Sequence, residues 1–508
     1  WAVVGWFFLG AGIFIGGVWA YRVLGWGGYW SWDPVENSSL VPWLTGAALI
    51  HGLLVQKRTG RFVASNHFMA ILTYVLIILA AYITRSGIME NFSVHAFATT
   101  PLTGALAAFL ISCVLVGFGL WLYRFRDIKT RGGSLSPLTT SGSMALTEAL
   151  LLAVAGLVLM GTLTPVITGL MGNAASVNQS FYLRTTGPVA VALLVLLGLC
   201  PALGGKPKKI ALVLGELYLP VAGFGVIVAW AFALGIRSLG DLLFLGAAGF
   251  ALVSNGGFFL KLLRRKGIKF SGGYLAHIGL ALMLVGVTVS TNYSQASMVH
   301  LLPGQPEEAV EHTFTWQQGL DILVEGKGGS ALTHPRIYRD GDKTMREPGI
   351  VRNWWRDVYI SPVELSTHYA NQVMVNQGNY FSHGEYSLNF SQFKFSGHGQ
   401  AGVVEVGAEL VVRYLGEVKT VTPMLYMDGQ QREFIGAELD QSQNVYLVAV
   451  DADNGVAAFT IGKEPPQEEE LLIVEAKTVP FISVLALGTV LLLLGSGLAV
   501  WRRFSSID

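Results

Sequence analysis

Apolar residues in this chain come in long unbroken runs. They fall near residues 1–24, 34–55, 67–84, 102–123, 143–170, 186–203, 209–235, 240–262, 270–290 and 478–501. At 1.5 Å per helical residue, runs of roughly 18–25 residues reach across a ~30 Å hydrocarbon core. The pattern predicts ten transmembrane helices. Between the last two runs the period changes. Residues 409–415 and 445–450 are short, β-branched and aromatic, and pairs such as Asp428-Gly429 punctuate them, which predicts strands and turns. About 187 residues are enough for one independent core. The acidic segment 464–470 reads as a solvated lead-in to the last helix.

Composition agrees with the pattern. The chain of 508 residues is 52% hydrophobic and 13% charged, with a mean hydropathy of +0.51, too apolar for a soluble globular protein. A net charge of +1 gives no case for nucleic acid, so the placement of charge is what informs. The connections after runs two, four, six and eight, with the C-terminal tail, carry seventeen Lys and Arg, from Lys57 to Arg503. The alternate short connections carry four: Arg22, Arg85, Arg184 and Arg237. Lys and Arg accumulate on the cytoplasmic side, which places the other connections outside. The expected fold is therefore an α-helical polytopic membrane protein with one β-rich extracytoplasmic domain. Residues 1–290 would form a nine-helix membrane domain with outer loops at 25–37 and 85–101, 291–477 the β-rich domain, and 478–508 the last helix with a short cytoplasmic tail. Cys113 and Cys200 lie in or beside apolar runs without a CxxC pattern and read as small apolar residues. The chain opens at Trp1 inside an apolar run without a basic leader, so a longer N-terminus is expected upstream.

One connection stands out: Trp26, Gly27, Gly28, Tyr29, Trp30, Ser31, Trp32, Asp33, Pro34, Val35, Glu36 and Asn37. Its second half is a helix start, with Asp at the cap, Pro at the first helical position and Glu three residues after the cap. Pro42, further in, predicts a bend. The rings of Trp26, Tyr29, Trp30 and Trp32 have two readings, an interfacial aromatic belt or an apolar platform for a planar ligand, approached closely over Gly27 and Gly28.

Histidines add chemistry. His51 lies about four residues from the inner end of its run and His277 about seven into its own, depths of ~6 and ~10 Å. The two could face each other at one level. An ionisable group in a lipid span is a functional hypothesis by default. Small residues flank both: Ala47 and Ala48 before His51, Gly273 and Ala281 around His277. They would make room for a macrocycle held between two imidazoles, or equally serve helix packing. His95 lies in an outer connection on the same side as the aromatic cluster. His67 reads as interfacial, and His300, His312, His334, His368, His383 and His398 show no metal-ligand spacing. No phosphate-binding loop, nucleophile elbow or HExxH supplies another chemistry.

The run from Trp26 to Asn37, with Pro42-Trp43 and His51 downstream, resembles the WWD signature of haem-handling membrane proteins and is most similar to the CcmF haem lyase family. Thr84-Arg85-Ser86-Gly87, Ser93-Val94-His95-Ala96-Phe97 and Tyr274-Leu275-Ala276-His277-Ile278-Gly279 resemble that family's later segments in the same order. The resemblance implies a bacterial inner-membrane component of holocytochrome c synthase. It implies a permanent haem b on His51 and His277, and a second, substrate haem ligated by His95 over Trp26, Gly27, Gly28, Tyr29, Trp30, Trp32, Asp33, Pro34, Glu36 and Asn37. It also implies a haem chaperone of the CcmE type, thiol-reducing and apocytochrome-binding partners of the CcmH and CcmI type, apocytochrome c, and electrons from quinol. Tyr29 stands where the family usually has Trp. The family's further outer histidine lies before the first residue here. A WWD-type carrier or exporter without ligation, and a quinone-reactive haem b subunit, remain alternatives.

Overall fold

A computed structural model of the chain describes residues 1–25, 27–93, 95–97, 99–129, 135–340, 343–369, 371–395, 403–428 and 431–505. Trp26, Val94, Arg131, His398 and Gly429 lie outside the described residues. Among the described residues, ten helices are long and apolar enough to cross a membrane. They are α1 (Ala2–Val23), α2 (Pro34–Thr59), α3 (Val63–Arg85), α4 (Thr103–Arg124), α5 (Thr140–Leu170), α6 (Gln179–Leu199), α7 (Ile210–Ala233), α8 (Leu239–Lys266), α9 (Ile268–Asn292) and α10 (Ile482–Phe504).

Local chemistry sets their ends. Thr139, Asn178 and Ser238 each accept a main-chain N–H at the start of α5, α6 and α8, the role short oxygen-bearing side chains fill best. Gly60 closes α2 at φ 71°, a left-handed cap that glycine adopts without Cβ strain. Pro42 lies inside α2. Helix α6 begins seven residues before the apolar run it was expected from, because its first two turns mix Gln179, Ser180, Arg184 and Thr185 with apolar residues. The start of the last helix is a correction: residues through Pro480 are extended in the strand Glu468–Pro480, and α10 begins at Ile482. The acidic segment thus leads into a strand first.

Two compact units emerge. The helical unit holds residues 1–296, 350–359 and 477–508; the β-rich unit holds 297–349 and 360–476. The ten residues from Ile350 to Tyr359, expected within the β-rich domain, therefore pack with the helices.

Within the helical unit, α9 and α10 meet backbone to backbone. Glycines recur every seventh residue, at Gly272, Gly279 and Gly286 on α9 and at Gly488 and Gly495 on α10. A Cβ at Gly272 would stand 2.7 Å from the Gly495 carbonyl oxygen and one at Gly286 2.5 Å from the Leu485 nitrogen. At Gly279, Gly488 and Gly495 it would overlap the main chain of Leu492, Met283 and Ala276. Small residues of this kind drive association where lipid supplies no hydrophobic contrast between helices. Near α1, Trp6 stacks on Trp43 at 4.9 Å and donates from its indole to the Trp43 carbonyl at 2.9 Å.

The β-rich unit is antiparallel. Strand Tyr386–Phe395 buries alternate residues, Tyr386, Leu388 and Phe390, as a pleated strand with one covered face must. It pairs with Val403–Tyr414, in register from Ser387 opposite Arg413. Phe390, Leu410, Leu447 and Phe459 lie in the core that these strands share with Asn444–Asp451 and Val456–Gly462.

Candidate functional site

Asp33 sits at the start of α2 and does more than begin it. Its Oδ1 accepts from the Val35 N–H at 2.8 Å, while Glu36 Oε2 accepts from the N–H groups of Ser31 (2.8 Å) and Asp33 (3.3 Å). Pro34 occupies the first turn, where its missing N–H costs nothing, and the reciprocal capping box is complete. The same Asp33 oxygen accepts from the Ser93 hydroxyl at 2.7 Å and lies 3.5 Å from His95 Nδ1. Ser93 in turn accepts the His95 N–H at 3.1 Å. One carboxylate thus starts the helix and tethers the histidine loop. Burial pushes the Asp33 carboxyl up, but the neighbouring His95, Ser93 and Val35 donors outweigh it and leave the group below its ordinary value. The Asp33 carboxylate holds the His95 imidazole above its own, against the burial that opposes charge. With Nδ1 turned to Asp33, Nε2 is the His95 nitrogen left to face a ligand.

The aromatic half is held from several sides. Trp32 takes φ 59°, a left-handed conformation unusual for a bulky residue. Asn37 donates from its side chain to the Trp32 carbonyl at 2.9 Å. Tyr182 of α6 stacks on the indole at 4.8 Å and 8°. Trp30 meets Trp32 edge to face, 6.3 Å away at 89°, so these two rings do not share a plane. Tyr29 reaches α9, its hydroxyl 2.8 Å from Ser290 Oγ. Gly27 takes φ 75°, gives its N–H to the Tyr359 hydroxyl at 3.2 Å and receives Lys477 Nζ at 2.9 Å on its carbonyl. Its left-handed turn explains the glycine. Gly28 follows, half-buried.

His51 and His277 come together. Their ring centres are 6.4 Å apart and their planes differ by 10°. His51 Nδ1 pairs with the Ala47 carbonyl at 2.8 Å, and His277 Nδ1 with Asn255 Oδ1 at 3.3 Å. Asn255 is fully buried. Its amide donates to the carbonyls of Leu197 (3.0 Å) and Ala251 (2.9 Å). Two carbonyls demand the NH2 side of the amide, so the oxygen is what His277 meets, and His277 Nδ1 must carry the proton. The Leu197 carbonyl is available because Pro201, four residues on, has no N–H to offer it. Both imidazoles therefore keep Nε2 for a ligand, as metal-bound histidines do when their other ring nitrogen donates to a carbonyl or amide oxygen.

Spacing gives a direct test of fit. Two metal–imidazole bonds of about 2 Å, with about 1 Å from nitrogen to ring centre on each side, span about 6 Å. The observed 6.4 Å between ring centres is of that length. Both histidines line a cavity of about 2620 Å³ that also reaches Tyr29, Trp30 and Trp32. Beside His51, a Cβ at Gly52 would stand 2.9 Å from Glu148 Oε2 and overlap Asn66 Oδ1; both polar residues are buried.

The sequence singles out the histidines and the loop; it does not single out Tyr182, Asn255 or the α9–α10 glycines. Asn255 left a readable signal, an amide within an apolar run. The glycines left theirs in seven-residue spacing. Tyr182 left none, since its partner is 150 residues away in sequence.

Fold and site define a class: polytopic membrane proteins that place paired imidazoles inside a helix bundle below a capped aromatic loop. Residues 1–89 match the family described as cytochrome C assembly protein. The chain is 32% identical over 382 residues to the cytochrome c-type biogenesis protein CcmF of Escherichia coli, covering 71% of this chain and 58% of that protein. It is 34% identical over 395 residues to CcmF of Pseudomonas aeruginosa, covering 71% and 59%. To CycK of Bradyrhizobium diazoefficiens it is 32% identical over 400 residues, covering 75% and 60%. The chain thus spans about three-fifths of the length of these relatives. Its fold is similar to that of a solved cytochrome c heme lyase CcmF, with a TM-score of 0.54 at 19% identity, covering 99% of this chain and 65% of that one. The chain belongs to the cytochrome c biogenesis family that includes CcmF and CycK.

Proposed function

We propose that this chain is the haem-holding component of a cytochrome c haem lyase. His51 and His277 hold a permanent haem b through Nε2, and His95 offers its Nε2 to a second haem, the substrate, near the Trp30–Trp32 loop. The observation that carries this reading is the 6.4 Å separation of the two membrane imidazoles, each with Nδ1 already committed. A haem b bound there supplies one-electron transfer, with quinol as the electron source. The basic ends of α2, α8 and α10 face the cytoplasm, and the Trp-rich loop, the His95 loop and the β-rich unit face the periplasm.

The chain's own residues then have defined tasks. Asn255 and the Ala47 carbonyl fix the imidazole tautomers. Asp33, holding His95 by Nδ1 and Ser93 by its hydroxyl, aims the loop ligand and favours its Nδ1–H form. Tyr182 and Asn37 keep Trp32 beside the capped start of α2. The substrate haem arrives on a haem chaperone of the CcmE type. Thioether bonds form between its vinyl groups and the reduced cysteines of a CxxCH apocytochrome c, presented by partners of the CcmH and CcmI type.

An absorption spectrum of the purified protein tests the reading beside His51→Ala, His277→Ala and His95→Ala. Either membrane substitution is expected to abolish a reducible low-spin haem b signal, and His95→Ala to leave it. Unchanged spectra in both membrane variants would sink the bis-histidine assignment.

A further inference from the structure

The cavity that holds the two histidines has a second chemistry at the end away from Tyr29, Trp30 and Trp32. Its lining there includes Lys57, Arg58, Lys266, Lys269 and Arg502, from the ends of α2, α8, α9 and α10. Hydroxyls of Thr59, Thr140 and Ser141 stand among them. Among the described residues the lining holds two carboxylates, Asp241 and Asp357, and neither is near this end: Asp241 is in the first turn of α8, and Asp357 accepts from the hydroxyl of Tyr21 in the last turn of α1. Cations at this end of the helices but outside the cavity do find carboxylates, Lys208 on Glu216 at 3.3 Å and Arg124 on Asp127 at 3.2 Å. Two of the lining cations are instead seated on rings. Lys269 Nζ lies 5.3 Å from the Trp501 ring centre, and the Arg502 guanidinium 4.7 Å from that of Phe270. Such contacts hold a cation in place without neutralising it.

Single-sign charge lining a low-dielectric cleft focuses its field into the cleft. Above the cations the walls are apolar, with Leu54, Leu193, Leu196, Leu262 and Ala499 among them. A ligand that satisfies both parts carries a negative head and a hydrocarbon tail. Volume leaves room for it, since about 2620 Å³ exceeds the roughly 300–1,000 Å³ of a pocket shaped to one small ligand.

We propose that the basic end of this cavity is a binding site for an anionic phospholipid, its phosphate among Lys57, Lys266, Lys269 and Arg502 and an acyl chain along the leucine wall. Basic pockets between membrane helices on the cytoplasmic side bind such head groups, with each Lys or Arg near the surface strengthening attraction about fivefold. The site rests on the charge and walls of the cavity and not on the haem reading. A lipid anchored there ties together the ends of four helices that carry or support both membrane histidines.

Native mass spectrometry of the full chain, released from nanodiscs of phosphatidylglycerol or of phosphatidylcholine, tests this directly. Wild type is expected to retain phosphatidylglycerol and release phosphatidylcholine. The triple variant Lys266→Gln, Lys269→Gln, Arg502→Gln is expected to weaken that retention on the order of a hundredfold while its haem absorbance stays at the wild-type level. Equal retention of both lipids by wild type would overturn the site without reference to any variant. Displacement of phosphatidylglycerol by millimolar inorganic phosphate would make it an anion site and overturn the lipid assignment. Loss of haem from the triple variant with lipid still bound would assign the cations to the carboxylates of a porphyrin and overturn it as well.

Discussion

Asn255→Leu is the substitution that separates a tuned imidazole pair from two histidines that happen to meet. Leucine keeps most of the amide's volume within α8 but removes three hydrogen bonds at once: from His277 Nδ1 at 3.3 Å, to the Leu197 carbonyl at 3.0 Å and to the Ala251 carbonyl at 2.9 Å. The Ala251 carbonyl keeps its helical partner, so that loss is minor. The Leu197 carbonyl faces Pro201 and has no such replacement, and leaving a buried group of this kind unpaired costs about 1–3 kcal/mol of stability. The effect on the ligand is distinct. The hydrogen-bond acceptor on the far nitrogen of a metal-bound histidine is worth about 10–100-fold in affinity, which is about 1.4–2.7 kcal/mol. Haem retained per polypeptide after extended dilution should fall by that factor. The reduction potential of what remains should rise, because an imidazole that donates no Nδ1 hydrogen bond gives less electron density to iron. Spectroelectrochemistry reads the potential, and pyridine haemochrome analysis reads the occupancy. Ser254→Ala is the control. Ser254 bonds the neighbouring Gly198 carbonyl at 2.6 Å and touches neither histidine by hydrogen bond, so its loss should lower thermal stability and leave the potential alone. An Asn255→Leu protein with wild-type occupancy and potential would refute the role of the amide.

Three further outcomes follow from the packing and charge. Gly495→Val should separate α9 from α10, since even a Cβ overlaps the Ala276 main chain; a cost at or above the ~1–3 kcal/mol of ordinary overpacking would show as a lower unfolding temperature and lost haem. Asp33→Asn should move the His95 titration, followed by NMR, down toward the ordinary imidazole value. In wild type His95 is raised, so the pair's contribution is present at acid pH and is lost as pH rises through that raised value; Asp33 is lowered, so it is also lost as pH falls through the Asp33 value. An unchanged His95 midpoint in Asp33→Asn would separate the two groups. Tyr182→Leu removes the ring stacked on Trp32 and should cost about 0.5–1.5 kcal/mol beyond lost area, with a change in the near-ultraviolet circular dichroism of the loop tryptophans. An identical spectrum would show that Tyr182 does not order the loop.

The features legible in the sequence were those whose cause is local. Ten apolar runs announce ten helices because the lipid imposes one length and one composition on each. Asp33, Pro34 and Glu36 announce a helix start because capping acts over three residues. His51 and His277 announced a pair because depth along a helix can be counted from its end, and the count needs no knowledge of which helices are neighbours. What stayed hidden depends on neighbours. Asn255 reads as an isolated polar residue until α6 brings the Leu197 carbonyl, unpaired on account of Pro201, against it; then its orientation, and the tautomer of His277, are determined. Trp32 reads as one ring among several until α6 also supplies Tyr182. The boundary errors have the same origin: 350–359 looks like its polar flanks in sequence and packs with the helices, and residues up to Pro480 look apolar enough for a span yet are extended. Helix α6 thus connects the two halves of the site, fixing Trp32 at one level and, through Asn255, His277 at another. That makes the spacing between the aromatic loop and the buried histidines a property of one rigid element, and the double variant Tyr182→Leu with Asn255→Leu should lose its stability terms additively within about 0.3–0.5 kcal/mol if α6 stays in place. A larger coupling, measured in a double-mutant cycle of unfolding temperatures converted to free energy, would mean that α6 shifts as a body when either anchor is removed.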